Sequence, residues 1–342
     1  MRYIALIADG VTNNSIFDLN HSSNRDNCNV PFHNLRCELG KIGVELSTPD
    51  LLIGKKISLN LHFNSQVNYI YTKRDVIVLF ETPNIIPSNG NLDKISKAEL
   101  VFTWNDDLVG RFPNFEKINF PNNIDSNIKH CDFSNRDIVF SIISGNKSIC
   151  FENESLNLYK ERVKVIRWFE KNHPEDFHLY GVGWDSPEAS GSILNKLIRR
   201  FYSSFLFRYF YIKPFPLYRG AVENKRDIYS RTKFAFCFEN VAGYNGYITE
   251  KIFDCFSAGC VPIYWGADNI NNYIPSNCFI DMRDFNCLGD LYDYLMSIDE
   301  IEYDKYQHAI NNFIKAERFS QFSSEYFVSK IKGSLVSLLD KL

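Results

Sequence analysis

Side chains able to do chemistry crowd into one stretch, Tyr229–Asp268 (YSRTKFAFCFENVAGYNGYITEKIFDCFSAGCVPIYWGAD). Its apolar run Phe234–Phe238 reads as a buried strand that delivers Glu239-Asn240 at its carboxyl end. A loop with Gly243, Tyr244, Asn245, Gly246 and Tyr247 follows, and a helix opens with Thr249-Glu250-Lys251. Glycines let a backbone approach a ligand closely. A helix start presents unpaired N–H groups and a positive dipole end, a combination suited to a diphosphate. Lys251 opposes that dipole and weakens the helix, so an anion that it serves explains it better than helix stability does. The plainer alternative makes Thr249 a cap and leaves Glu250 and Lys251 solvated. The strand, glycine loop and helix in succession weigh against it.

Short apolar runs alternating with helical patterns must position this stretch. Tyr3–Ala8, Val44–Ser47, Val76–Phe80 and Leu100–Trp104 read as strands, with a helix over Asn34–Lys41. After Asn122–Cys131, rich in Asn, Asp and Ser, the pattern restarts. Strand Asp137–Ile143, helix Asn157–Asn172 and strand Phe177–Gly181 come first. Strand Phe234–Glu239, helix Thr249–Ala258 and strand Val261–Trp265 follow, then Phe279–Asp281, a helix near Leu288–Ser297, and terminal helices Glu302–Ala316 and Ser323–Leu339. Such alternation argues for α/β domains with mainly parallel sheets. A ligand would then sit in the cleft between two of them, beyond the carboxyl ends of the strands. The expected division is 1–130, 131–310 and a terminal helical segment 311–342.

Composition narrows the class. Of the 342 residues, 45% are hydrophobic and 23% charged, enough apolar material for two cores. A net charge of −3 gives no sign of a nucleic-acid partner. Nine cysteines, an odd number without a C-x-x-C pair, suggest reduced and mostly buried thiols of a cytoplasmic protein rather than a disulfide framework or zinc site. No apolar window is long enough for a membrane-spanning helix. Ile198–Pro216 (IRRFYSSFLFRYFYIKPFP) is densely aromatic and carries Arg199, Arg200, Arg208 and Lys213. It reads either as a helix packed on its own domain or as a peripheral contact with an anionic membrane.

The donor-like stretch FAFCFEN…GYITEKIFDCFSAGCVPIYWG closely resembles the signature of the α-1,3/1,4-fucosyltransferases, glycosyltransferase family 10. FETPNIIP at 80–87, ELVFTWNDDLV at 99–109 and YKERVKVIRWFEKNHPEDFHLYGVGWD at 159–185 extend the resemblance over roughly residues 75–285. The first 70 and last 40 residues carry little of it. The resemblance implies an α/β GT-B fold, two Rossmann-like domains facing a cleft. It further implies GDP-fucose as donor, a glycan acceptor and inversion at the anomeric carbon. Carried over residue by residue, it places the pyrophosphate-binding lysine and the glutamate before it on Lys251 and Glu250. The aromatic residue three positions earlier falls on Tyr247, and the Glu-Asn ending the strand on Glu239 and Asn240. The phosphate-binding arginine falls on Arg162, with Arg167 as alternative.

Inverting transfer needs a base for the acceptor hydroxyl and a counter-charge for the departing phosphate. Many transferases hold a divalent metal with D-x-D, and this sequence contains none. Arg162, Lys251 and the helix N-terminus are the substitute, so no metal and no cofactor are expected beyond the donor substrate. The base should be a carboxylate or histidine of the first domain. Glu81, straight after the apolar run Val76–Phe80 with Pro83 holding the exit turn, is the first candidate. Asp106, in Trp104-Asn105-Asp106-Asp107, is the second, or else it orients the acceptor. Trp104 is either a sugar-stacking face or core. Competing readings are a GT-B transferase using another nucleotide sugar and a sugar-binding protein that lost its chemistry. The acceptor and the choice of α-1,3 or α-1,4 linkage are not legible.

Overall fold

A computed structural model describes residues 1–124, 132–149, 151–188, 197 and 213–342. The chain divides into two compact units. The first comprises Met1–Ile124, Asn245–Glu250 and Glu317–Leu342; the second comprises Asp125–Tyr244 and Lys251–Ala316. The terminal segment expected as one piece is therefore shared, with its last helix in the first unit. A six-residue piece of the glycine loop also belongs to that unit.

The first unit is a parallel sheet in the order β2-β1-β3-β4-β5-β6, formed by Arg2–Ile7 (β1), Val44–Ser47 (β2), Ile57–Phe63 (β3), Asp75–Leu79 (β4), Leu100–Thr103 (β5) and Phe115–Lys117 (β6). Val30–Gly40 (α1) and the C-terminal helix Ser324–Leu339 pack on it. Phe327, Ile331, Leu335 and Leu339 enter the same core as Ile4, Leu61 and Val78. Strand β4 is buried along its whole length, as its unbroken apolar run requires.

Strand β3 was not read from the sequence, although Ile57, Leu59, Leu61 and Phe63 alternate with Ser58, Asn60 and His62 as a strand should. The fold satisfies the last two at Asp75: Asn60 Nδ2 lies 3.0 Å and His62 Nε2 2.9 Å from Asp75 Oδ1, and Tyr69 donates to the same oxygen at 2.8 Å. These hydrogen bonds hold the Asp75 carboxyl well below its usual range although burial pushes the other way.

The second unit is a parallel sheet in the order β11-β10-β9-β7-β8, formed by Ile138–Ile143 (β7), Phe177–Tyr180 (β8), Thr232–Phe238 (β9), Val261–Trp265 (β10) and Ile280–Asp281 (β11). Helices Leu158–Asn172 (α2), Glu250–Ser257 (α3), Leu288–Ser297 (α4) and Glu300–Lys315 (α5) accompany it, and Ser324–Leu339 becomes α6. Its core is rich in aromatics: Phe140, Phe169, Phe177, Phe234 and Phe236 stack or meet edge-on. Most of the high aromatic content is accounted for by such packing.

All seven described cysteines are free; Cys237, Cys255, Cys260 and Cys278 are buried, whereas Cys28, Cys37 and Cys287 are exposed. No helix among the described residues is long and apolar enough to cross a membrane. Of the basic aromatic segment Ile198–Pro216, Arg199, Arg200 and Arg208 lie outside the described residues.

Candidate functional site

In the first unit, Glu81 follows β4 at its carboxyl end. Its carboxylate Oε2 accepts a hydrogen bond from the Tyr247 hydroxyl at 3.1 Å. Tyr247 is completely buried, its ring 4.7 Å from that of Trp104 and 6.0 Å from that of Phe120. The residue expected at the donor thus also touches the candidate base. A pocket of about 160 Å³ opens beside Glu81, lined by Leu79, Pro83, Leu92, Leu108 and the partly polar edge of Asn89, Thr103 and Asn105. Trp104 also lines it, although only 3% of the residue is exposed. The tryptophan is thus mainly core and lends the pocket a rim.

Asp106 is differently engaged. Lys117 donates to Asp106 Oδ1 and to the Trp104 carbonyl, both at 2.6 Å. Burial pushes the Lys117 ammonium below its ordinary value, and the Asp106 carboxylate opposes that shift. The glycine loop closes over this pair. The Asp106 N–H donates to the Asn245 carbonyl at 3.2 Å, and Asn245 Nδ2 donates to Asp107 at 2.9 Å. Gly246 sits at φ +82°, where a Cβ would lie 2.3 Å from the Trp104 carbonyl oxygen and 2.6 Å from Lys117 Nζ. Only glycine fits there.

In the second unit, β9 delivers Glu239-Asn240 as read from the sequence. Arg162, on the first turns of α2, is 5% exposed. Its Nη2 donates to the carbonyls of Phe238 and Glu239, both at 2.7 Å, and to Asn240 Oδ1 at 3.1 Å. Tyr159 lies under the guanidinium, 4.9 Å away. Arg167 points elsewhere: it bonds the Pro214 carbonyl at 2.9 Å and stacks on Phe215. Of the two arginines, the geometry brings Arg162 to the strand end.

Glu239 is fully buried, and Lys251 Nζ lies 3.1 Å from its Oε2. Glu250 opens α3 and is exposed, with Lys251 beside it in the first turn. Gly266, after β10, lies so close that a Cβ would meet Glu239 Cγ at 2.5 Å and the Tyr264 hydroxyl at 2.4 Å. Two cations and one buried carboxylate therefore converge where β9 ends. Such a group suits a polyanionic ligand whose charge must be met by fixed donors.

Sequence reasoning missed Asn64 and Asn89, which bracket Glu81, and Lys117, which holds Asp106. Asn89 stands in Ser88-Asn89-Gly90, an ordinary turn signature, and Asn64 follows a strand that was itself unread.

Residues 210–330 match the model of glycosyltransferase family 10 (fucosyltransferase), C-terminal part, in keeping with the resemblance carried by the motifs. An α-(1,3)-fucosyltransferase of Helicobacter pylori is 39% identical over 74 residues, 22% of this chain and 15% of that protein. The mouse 4-galactosyl-N-acetylglucosaminide 3-α-L-fucosyltransferase 9 is 29% identical over 169 residues, 49% of this chain and 37% of that protein. The matched regions thus span well under half of these relatives. Crystal structures of an α1,3-fucosyltransferase, alone and with GDP-fucose, superpose with TM-scores of 0.54 and 0.51 at 13% and 14% identity, each covering 99% of this chain and 90% of the other. At that identity the likeness shows the fold, which is GT-B.

Proposed function

From the match of residues 210–330 to the C-terminal part of glycosyltransferase family 10 (fucosyltransferase), we propose that the chain transfers L-fucose from GDP-fucose to a hydroxyl of a glycan acceptor, with inversion. The observation that carries the reading is the convergence of Arg162 and Lys251 on Glu239-Asn240 at the end of β9. Buried main-chain carbonyls hold the guanidinium and a buried carboxylate holds the ammonium, so both charges are in place before any ligand arrives. Pre-set charges of this kind stabilise a transition state without reorganisation.

Glu81 is the base. It takes the proton from the acceptor hydroxyl as that oxygen attacks the anomeric carbon. The bond from that carbon to the β-phosphate oxygen breaks on the opposite face, so a single displacement inverts the configuration. The charge left on GDP is met by Arg162, Lys251 and the N-terminus of α3. Glu239 and Asn240 orient these cations, and Glu250 faces the sugar as its exposure allows. Asp106 is the weaker base, because its carboxylate is committed to Lys117. It holds the glycine loop instead.

The mouse relative's name specifies an N-acetylglucosaminide acceptor. A GlcNAc-containing or related glycan, joined through an α-1,3 or α-1,4 linkage, is the acceptor class that follows. Since the counter-charge comes from protein cations and the sequence has no D-x-D, turnover should not need a divalent metal. Cytoplasmic location, and peripheral contact of Ile198–Pro216 with an anionic membrane, belong to the same reading. Salt-sensitive co-sedimentation with anionic vesicles tests the latter.

Incubation with GDP-fucose and a panel of glycan acceptors, in EDTA, with the product's anomer and linkage read by NMR, tests the function. An α-linked fucose supports it. Turnover with a different nucleotide sugar and none with GDP-fucose would replace the donor assignment.

A further inference from the structure

We infer that Asn64 is a positioning residue for the transfer reaction, acting through the backbone of Glu81 with Asn89 as its partner. The inference rests on Glu81 being the base. Asn64 takes the left-handed conformation at φ +59°, directly after β3. Asparagine tolerates that region better than most residues, and here the conformation has a use. Its N–H donates to the Val78 carbonyl at 2.8 Å, continuing the β3–β4 ladder by one step. The side chain then turns across the end of β4. Asn64 Oδ1 accepts from the N–H of Phe80 at 2.8 Å and from the N–H of Glu81 at 3.0 Å.

Asn89 completes the clamp. Its Nδ2 donates to the Glu81 carbonyl at 2.8 Å and to Asn64 Oδ1 at 3.0 Å, while its Oδ1 accepts from the Ser65 N–H at 2.7 Å. Only 2% of Asn89 is exposed. Ser88 Oγ ties the same turn to the Ser65 carbonyl at 2.7 Å. Both main-chain polar groups of Glu81 are therefore held by side-chain amides from two other segments. At a strand end, where ladder partners have run out, Glu81 would otherwise rely on water, and its φ and ψ would be free to vary.

Free variation at this residue matters more than at most. A base must lie within hydrogen-bond reach of the proton it removes, and a misplacement of about 1 Å can cost on the order of a hundredfold in rate. The bonds from both asparagines go to the Glu81 backbone. Their effect is on where the carboxylate stands, so they govern turnover and leave nucleotide binding alone.

The test compares Asn64→Gly, Asn64→Asp and Glu81→Gln with the wild type, reading kcat across pH, GDP affinity by calorimetry, and Tm. Asn64→Gly keeps the left-handed backbone and deletes the acceptor; we expect kcat to fall at least about tenfold with GDP affinity unchanged. Asn64→Asp keeps an acceptor and adds a negative charge near Glu81. That charge opposes ionisation of the base, so kcat should return at high pH with the acidic limb of its profile moved upward. A merely structural asparagine would not move that limb. If Asn64→Gly fails to fold, Asn89→Leu, which removes the donor to the Glu81 carbonyl, replaces it with the same expectation. Wild-type kcat in Asn64→Gly while Glu81→Gln is inactive would overturn the clamp. Activity in Glu81→Gln would instead overturn the base assignment beneath it.

Discussion

The neighbourhoods of Glu81 and Lys251 are built on different plans. At Glu81 two amides hold the backbone, a phenol donates to the carboxylate, and a pocket walled by leucines and a tryptophan edge opens beside it. Around Lys251 the groups are charged, with a guanidinium on main-chain carbonyls and an ammonium on a buried carboxylate. The difference suits the chemistry proposed for each. A base needs its position fixed within reach of the proton it removes. A leaving-group site needs positive charge set in advance, and buried acceptors hold that charge in one place. In the same unit as Glu81, the Asp106 carboxylate is paired with Lys117 at 2.6 Å, which is why it is proposed to hold the loop rather than to act as base.

If the neighbourhood of Glu81 houses the base, Glu81→Gln gives the largest effect. Transfer should fall by at least about a hundredfold, the usual worth of a general base, measured as fucose incorporation at saturating donor. Asp106→Asn should lose far less, and an inactive Asp106→Asn beside an active Glu81→Gln would reverse the assignment.

On the charged side, Lys251→Met should weaken GDP binding by about 1.5–3 kcal/mol, roughly tenfold or more. It should also lower Tm, because Glu239 is left buried with its ammonium gone. The cost should stay below the ~3–5 kcal/mol of a fully buried pair, since Lys251 is partly exposed. Glu239→Gln/Lys251→Met should regain the Tm while GDP affinity stays low. If affinity and Tm recover together, the pair is structural and the phosphate lies elsewhere.

The loop shared with the first unit sharpens the contrast. Gly246→Ala must place a Cβ against the Trp104 carbonyl at a positive φ, so it should cost more than about 1 kcal/mol in chemical denaturation and impair transfer. An unperturbed Gly246→Ala would mean that the loop does not pack on Trp104 in solution.

The smallest effect concerns how the first unit is closed. Glu38, on α1, accepts from Lys41 and from Lys332 of α6, and those bonds lower its carboxyl to about 2. The folded value lies below the unfolded one, so the contribution is present above about 4.5 and is lost as pH falls toward 2. Glu38→Gln should slightly flatten the fall of Tm across that window, and salt should mask the change because the pair is exposed. A wild-type slope in Glu38→Gln would place the α1–α6 contact in apolar packing alone.

The two neighbourhoods also differed in how far the sequence disclosed them. The phosphate side is mostly local: β9, the glycine loop and the start of α3 follow one another within Thr232–Ser257, and only Arg162 comes from afar. Periodicity, glycine and an ill-placed lysine therefore exposed it. The base side is assembled from residues near 64, 81, 89, 104, 117 and 247. No window of sequence contains it, and its positioning residues are asparagines that look like any turn. Tyr247 was read as a donor contact from its place in the glycine loop; that its hydroxyl donates to a carboxylate 166 residues away could not be read locally. Strand β3 was legible in its alternation and was overlooked; what no local window shows is that Asn60 and His62 bond to Asp75.

Calorimetric titration of GDP into Glu81→Gln and Arg162→Lys, side by side with the wild type, tests this division of labour most directly. Glu81→Gln should bind GDP as tightly as the wild type, within about twofold. Arg162→Lys keeps the charge but loses the planar guanidinium and its set of donors, and should lose at least about tenfold, the worth of one charge-assisted bond. Loss of GDP affinity in Glu81→Gln, with wild-type affinity in Arg162→Lys, would contradict it.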